Sequence, residues 1–143
     1  MKRTEQVEYR LNLVEGFVLE AREDLNAKRW RSCVDDSQLA VENAAKAALA
    51  LLGPVGRTHD PAPLLFSALQ ENRFPSSAQD IVKRLAEYAK ELGPEVHIKS
   101  DYGDENQGQT PWQLFGQSDA EHALDLAEKA VALARQLLKV AER

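Results

Sequence analysis

The 143-residue chain has a single cysteine, no long hydrophobic run and no excess of basic residues, and each absence excludes a class of protein. Cys33 has no second cysteine to pair with, so we expect a structural thiol on a buried helix face in a reducing cytoplasm. No apolar stretch approaches the ~20 residues that span a bilayer, and no secretory signal follows Met1. These absences predict a cytoplasmic protein without membrane contact.

Acidic residues outnumber basic ones, 23 to 18, and the formal net charge is −5. The excess is spread along the chain, so that no third of the sequence is basic. A protein that grips duplex nucleic acid along its backbone usually presents a basic face. The composition therefore disfavours extended nucleic-acid binding, whereas a small pocket for a nucleotide or an RNA end stays compatible with it.

Apolar residues recur every three or four positions along most of the chain, which is the pattern of amphipathic helices. No stretch alternates as a strand does. The pattern predicts an all-α, up-and-down bundle of four to five helices in one domain spanning 1–143. The predicted helices cover about 4–27, 29–52, 62–72, 76–92 and 118–141, with 93–117 as a long irregular segment and Ser118–Glu121 as the capping box of the last helix.

A polar ridge lies on the alanine-rich second helix, where Gln38, Glu42 and Lys46 follow one another at intervals of four. One interpretation is an exposed stripe in which Glu42 and Lys46 form an ordinary surface pair, contributing about 0.2–0.5 kcal/mol. The other follows from the flanking apolar residues, which leave the polar face narrow. A narrow polar face on such a helix indicates a groove or a dimer seam.

Three segments, taken in order, resemble the HEPN domains (higher eukaryotes and prokaryotes nucleotide-binding). Gln38, Glu42 and Lys46-Ala47 match the family's Gln-x-Ala-x-Glu-x-x-x-Lys-Ala helix. Thr58-His59-Asp60 matches the triplet that precedes a leucine-rich helix, and 101–104 matches more loosely a segment that usually begins with arginine. The resemblance extends from about Tyr9 to Leu138.

The resemblance implies a helical bundle that is commonly homodimeric. It also implies a partner, a minimal nucleotidyltransferase, in toxin–antitoxin-like pairs, for which the protein would bind a nucleotide or present a substrate. A nucleotide, or RNA, is the ligand that it suggests, and no other cofactor is expected. The cleft residues that it implies are Gln38, Glu42, Lys46, Arg57, His59 and Tyr102.

Some members of this family are metal-independent endoribonucleases, in which a histidine follows an arginine after four to six residues. That spacing is absent, since Arg57 precedes His59 by only two positions and Arg84 precedes His97 by thirteen. The resemblance therefore favours a non-catalytic protein. An endoribonuclease toxin that uses Arg57 and His59 is the alternative, and a structural helical adaptor is the second alternative.

Two further features of the chain have competing interpretations. The aromatic residues Tyr102 and Trp112 can stack on a nucleotide base, although packing of Trp112 and Phe115 onto the bundle is the interpretation that we favour. The basic run 28–31 can contact a phosphate or form a solvated helix end. We expect no metal site, because the acidic residues at 101, 104 and 105 lack the spacing of a Ca²⁺ loop and are typical of a solvated turn.

Overall fold

The computed structural model describes residues 2–143, which form helices and connecting loops and contain no β-strand. An isolated bridge between Asp104 and Gln109 is the nearest approach to a sheet in this range. The all-α prediction is therefore confirmed. The helices are α1 (Arg3–Asn26), α2 (Trp30–Ala50), α3 (Ala62–Gln70), α4 (Ser76–Glu91), α5 (Pro94–Tyr102), α6 (Pro111–Leu114) and α7 (Gln117–Ala141).

Helix α2 is the centre of the molecule, because α1 and α7 pack along it and α4 and α5 cover the rest of it. Most of its positions are buried, and many of these are alanine. Alanine side chains are short, so neighbouring helix backbones approach closely without leaving cavities. Larger side chains, including Leu65, Leu85 and Leu137, fill the space where helices α3, α4 and α7 meet the core. The fold thus surrounds one helix on nearly every side.

The segment 93–117 is not irregular as predicted, because it contains α5 and α6. Pro94 stands in the first turn of α5, where a proline costs no hydrogen bond. Gly103 ends α5 with φ 73°, and a Cβ at this position would lie 2.1 Å from the Gln109 carbonyl oxygen. Thr110 then caps α6 in a reciprocal capping box with Gln113. The tight turn at Gly103 places α6 directly beside α5.

The start of α7 also differs from the prediction. The helix begins at Gln117, and the Asp119 carboxylate accepts a hydrogen bond of 2.8 Å from the Gly116 backbone N–H. The predicted capping box of Ser118 and Glu121 is therefore wrong, since Glu121 instead accepts from the Gln117 side chain. Gly116 and Ser118 are each followed three positions later by an acidic residue, Asp119 or Glu121, so the local sequence does not show which of the two is the N-cap.

Across residues 2–143, no helix combines the length and the apolar character needed to cross a bilayer.

Cys33 lies on the buried face of α2, with its Sγ 3.6 Å from the Ala120 carbonyl oxygen of α7. Burial raises the pKa of the thiol to about 11. A thiol that stays protonated at neutral pH is a poor nucleophile. The prediction of a structural cysteine on a buried helix face is confirmed.

Two aspartates meet where α1 ends and α2 begins. Asp24 is buried, and one of its oxygens accepts from Arg29 at 3.0 Å while the other has no hydrogen-bond partner among the described residues. Burial, reinforced by the neighbouring Asp24 carboxylate and by Glu20, raises the pKa of Asp36 to about 8. The Asp36 carboxyl group therefore holds a proton that an unfolded chain would have released at neutral pH.

We predict that the Asp36→Asn variant is more stable than the parent at pH 8 and nearly equal to it at pH 4. Because the folded pKa lies above the ordinary value, the folded state binds more protons than the unfolded state between about pH 4 and 8, and stability falls as pH rises through this window. The partial exposure of Asp36 screens the effect, so we expect a gain of about 1 kcal/mol at pH 8. Urea denaturation at several pH values measures it.

The control is Asp80→Asn, which removes an exposed carboxylate from α4. Its difference from the parent is expected to stay small across the same pH range. A gain in Asp36→Asn that did not change with pH would contradict the assignment of the proton to this group.

Candidate functional site

Charged and polar side chains converge along one side of α2, where α5 and the loop before α3 approach it. The residues come from three places, namely α2 itself, the loop at 58–60 and the inner face of α5. We call this constellation the polar groove, and its members are Arg31, Asp35, Glu42, Lys46, His59, His97 and Asp101.

One end of the groove, toward the C-terminus of α2, holds a buried ion pair. Lys46 Nζ lies 3.2 Å from Glu42 Oε2, and the two side chains are only 9% and 6% exposed. The other oxygen of Glu42, Oε1, lies 3.6 Å from Nδ1 of His59, whose side chain is 79% exposed. The interpretation as an exposed surface pair is thus wrong: burial fixes Glu42 beneath a histidine that faces solvent.

At the other end of the groove, His97 lies between two carboxylates. Its Nδ1 is 3.3 Å from Asp35 Oδ1, and its Nε2 is 3.6 Å from Asp101 Oδ2. Burial raises the pKa of Asp35 and the Asp101 charge adds to this, while Ser100, His97 and Arg31 act in the opposite direction. The ionised form of Asp35 therefore depends on these three neighbours to offset its burial.

Arg31 holds these carboxylates from the opposite side. Its Nη2 lies 3.5 Å from Asp35 Oδ2 and 3.2 Å from Asp101 Oδ1, and its Nε donates to the Ser100 carbonyl oxygen at 2.6 Å. Each carboxylate therefore turns one oxygen toward Arg31 and the other toward His97. A guanidinium that bonds in this forked way orients the groups that it contacts.

The two ends of the groove meet at a pair of histidines. The His59 and His97 rings are nearly parallel, at 12°, with centroids 6.5 Å apart. Each ring has a carboxylate behind it, Glu42 for His59 and Asp35 with Asp101 for His97. His59 faces its carboxylate through Nδ1 alone, whereas both ring nitrogens of His97 face carboxylates.

Only some of the site residues that were predicted from the sequence lie together in the structure. Glu42, Lys46 and His59 come together in the polar groove. Gln38 is buried, and its Nε2 donates to the Leu92 carbonyl oxygen at 3.5 Å, so that it contacts the end of α4. Arg57 is exposed, in the loop between α2 and α3. Tyr102, 69% exposed, lines a separate cleft with Ile98 and Lys99.

The sequence pattern did not predict that four residues of the groove contact one another, namely Arg31, Asp35, His97 and Asp101. A signal was present, since Arg31 and Asp35 lie four positions apart on α2, and His97 and Asp101 have the same spacing on α5. Asp101 was grouped with residues 104 and 105, but the Asp104 carboxylate accepts a hydrogen bond from the Gln107 N–H within its own turn.

A second cleft, of about 310 Å³, lies next to the groove around the first turn of α2. We call it the basic-aromatic cleft, and its lining residues are Lys28, Arg29, Trp30, Arg31, Ser32, Trp112 and Phe115. Trp112 was expected to pack onto the bundle, but it is 73% exposed and its ring lies 5.9 Å from the Arg31 guanidinium. Phe115 does pack against the core, as expected. Arg31 thus belongs to both the cleft and the groove.

Comparison with known proteins places the chain in a family. The sequence model of the HEPN domain matches residues 7–138. The crystal structure of TT1696 from Thermus thermophilus is similar, with a TM-score of 0.67 and 21% sequence identity, over 92% of this chain and 98% of that chain. This likeness shows a shared fold. No curated protein matches the chain.

We predict that Lys46→Met destabilises the protein by about 3 kcal/mol, because it leaves the Glu42 carboxylate buried without its partner. The double variant Glu42→Met with Lys46→Met is expected to regain most of this loss, since no uncompensated charge then remains. Urea denaturation measures both. The matched control is Lys129→Met, which removes an exposed ion pair of the same i,i+4 geometry with Asp125.

This control is expected to leave stability nearly unchanged. Equal losses in Lys46→Met and Lys129→Met would show that the Glu42–Lys46 pair behaves as a surface pair.

Proposed function

The chain belongs to the HEPN family, and we propose that it is a homodimeric, nucleotide-binding protein that acts as the non-catalytic partner of a minimal nucleotidyltransferase in a toxin–antitoxin-like pair. The partner and the dimer follow from the family resemblance. Nucleotide binding is argued from the basic-aromatic cleft and the polar groove beside it.

The observation that carries the proposal is the composition of the basic-aromatic cleft. Its lining combines three cationic side chains with three aromatic rings and contains no acidic residue. Aromatic side chains stack on nucleobases, contributing about 1–3 kcal/mol per base, and arginine and lysine bind phosphate oxygens. A volume of about 310 Å³ lies within the range of small-molecule sites. A cleft of this kind suits a base that bears a phosphate.

The charge balance favours a small ligand over a long nucleic acid. In the polar groove, Arg31 and Lys46 face three carboxylates, so the groove carries one net negative charge when both histidines are neutral. The net charge of the whole chain is −5. Extended RNA would therefore meet repulsion beyond the cleft, whereas a mononucleotide remains next to Lys28, Arg29 and Arg31.

The test is calorimetric titration of the protein with ATP, AMP and GTP. We expect Trp112→Ala to weaken binding by about 5- to 100-fold, the equivalent of one lost base stack. Tyr102→Ala is the matched control, because Tyr102 is a similarly exposed aromatic residue outside the cleft. It also tests the sequence prediction, which placed Tyr102 among the nucleotide-binding residues.

Loss of affinity in Tyr102→Ala but not in Trp112→Ala would indicate that the nucleotide binds at the residues predicted from the sequence and not in the basic-aromatic cleft. Absence of nucleotide binding in the parent protein would support the structural adaptor. Light scattering of the protein, alone and with a minimal nucleotidyltransferase, tests the dimer and the partner separately from the ligand.

A second candidate function, endoribonuclease activity, is favoured by the pairing of His59 and His97. The sequence lacks the usual arginine–histidine spacing, but Arg31 of α2 comes close to Asp101 and Ser100 beside His97. Two histidines near a cation are the groups that metal-independent RNA cleavage needs.

Incubation with mixed RNA in the presence of a chelator tests this second function. Cleavage that is lost in His59→Ala and in His97→Ala, but kept in His122→Ala, would replace the non-catalytic proposal.

A further inference from the structure

We propose that Asp35, His97 and Asp101 bind one divalent transition-metal ion, Zn²⁺ or Mn²⁺. The three residues each offer a ligand atom, and these atoms all lie within 4.8 Å of one another. This is the one such group of three found within residues 2–143. The site rests on its own geometry and holds whether or not the neighbouring cleft binds a nucleotide.

The distances fit coordination to a single ion. His97 Nδ1 and Asp35 Oδ1 are 3.3 Å apart. Two ligands at about 2.0–2.1 Å from a tetrahedral ion are separated by about 3.3 Å. The Asp101 carboxylate faces the other ring nitrogen, Nε2, at 3.6 Å, and it supplies the third ligand atom of the group.

The ring nitrogen that faces Asp35 is available as a ligand. His97 Nδ1 is shielded from solvent and has no hydrogen-bond partner among the described residues, although the Asp35 carboxylate lies near it. The Asp35 carboxylate, 3.3 Å away, makes no hydrogen bond of good geometry with this nitrogen, and a metal ion bound to both atoms would satisfy both. This atom distinguishes the site from an ordinary solvated cluster of acidic residues.

Neighbouring groups hold the carboxylates in the orientation that coordination needs. Arg31 contacts Asp35 Oδ2 and Asp101 Oδ1, which leaves Asp35 Oδ1 and Asp101 Oδ2 facing His97. The buried Ser100 hydroxyl lies 2.8 Å from the His97 carbonyl oxygen and 3.1 Å from Asp35 Oδ1. A hydroxyl that donates to Asp35 Oδ1 leaves the second lone pair of that oxygen for a metal ion. Metal ligands are commonly oriented by an outer shell of this kind.

The charge and the ligand types select the class of ion. Two carboxylates and one guanidinium give the cluster one net negative charge when His97 is neutral, which attracts a cation. Imidazole suits Zn²⁺ and other transition metals, while carboxylates extend the set to Mn²⁺. Ca²⁺ requires six to eight oxygen ligands, and three residues with one nitrogen do not supply them. The exposed His59 ring lies beside the site, with its centroid 6.5 Å from that of His97.

The experiment is calorimetric titration of chelator-treated, full-length protein with ZnCl₂ and with MnCl₂, without nucleotide. We expect one ion per chain, with a dissociation constant of about 10 μM or tighter for at least one of the two metals. His97→Ala and Asp101→Asn are each expected to weaken binding at least 10-fold. His122→Ala is the matched control, because it removes a different histidine–carboxylate pair, with Glu91, on the surface. Its affinity should equal that of the parent.

Co²⁺ absorption gives a second measurement, since its visible bands report the ligands around the ion and should change when His97 is removed. Circular dichroism establishes that each variant is folded, and Asp101→Asn is the mildest change because this side chain is partly exposed. Binding weaker than about 1 mM in the parent protein, or equal affinity in the parent and in His97→Ala, would overturn the proposal. Equal losses in His97→Ala and in His122→Ala would overturn it as well, because they would indicate adsorption by surface histidines.

Discussion

The buried ion pair of Glu42 and Lys46 is the constraint on which the arrangement of the site depends. Two charged side chains lie on an alanine-rich helix that is covered on nearly every side, so the surrounding elements must leave one face where polar partners can reach them. Helices α1, α4 and α7 pack against the other faces of this helix. The remaining face receives the loop at 58–60 and helix α5, and His59 and His97 lie there.

Helix α5 completes this face although it contributes little to the hydrophobic core. Ser100 is its one fully buried residue, and α5 contacts α2 through the polar groups of His97, Asp101 and the Ser100 backbone, while Val96 packs against the core. The turn at Gly103 then returns the chain so closely that α6 and Trp112 lie next to the start of α2. The basic-aromatic cleft and the polar groove are therefore adjacent for two reasons. Helix α5, which has few apolar residues, brings polar side chains to α2, and the turn at Gly103 returns the chain to the start of α2.

The parts of the fold with a strong hydrophobic period were predictable from the sequence. Helices α1, α2 and α7 were predicted within a few residues of their observed ends, because each repeats apolar positions over many turns. Helices α5 and α6 were missed, since α5 buries almost nothing and α6 has a single turn. In the site, the adjacency of Glu42 and Lys46 followed from their spacing. The approach of His97 to Asp35, from a distant part of the chain, depends on tertiary packing that no local pattern encodes.

Arg31 connects two places that ligands of different chemistry would occupy. Its guanidinium lies against Trp112 on one side and against Asp35 and Asp101 on the other. A ligand that draws the Arg31 guanidinium toward the Trp112 indole weakens its ion pairs with the two carboxylates. A cation near those carboxylates repels the guanidinium toward the indole. With the two ligands proposed above, occupancy of either place would change the affinity at the other, and thermodynamic linkage would make the two effects equal in free energy. Arg31 would then be the side chain that couples the two proposed sites.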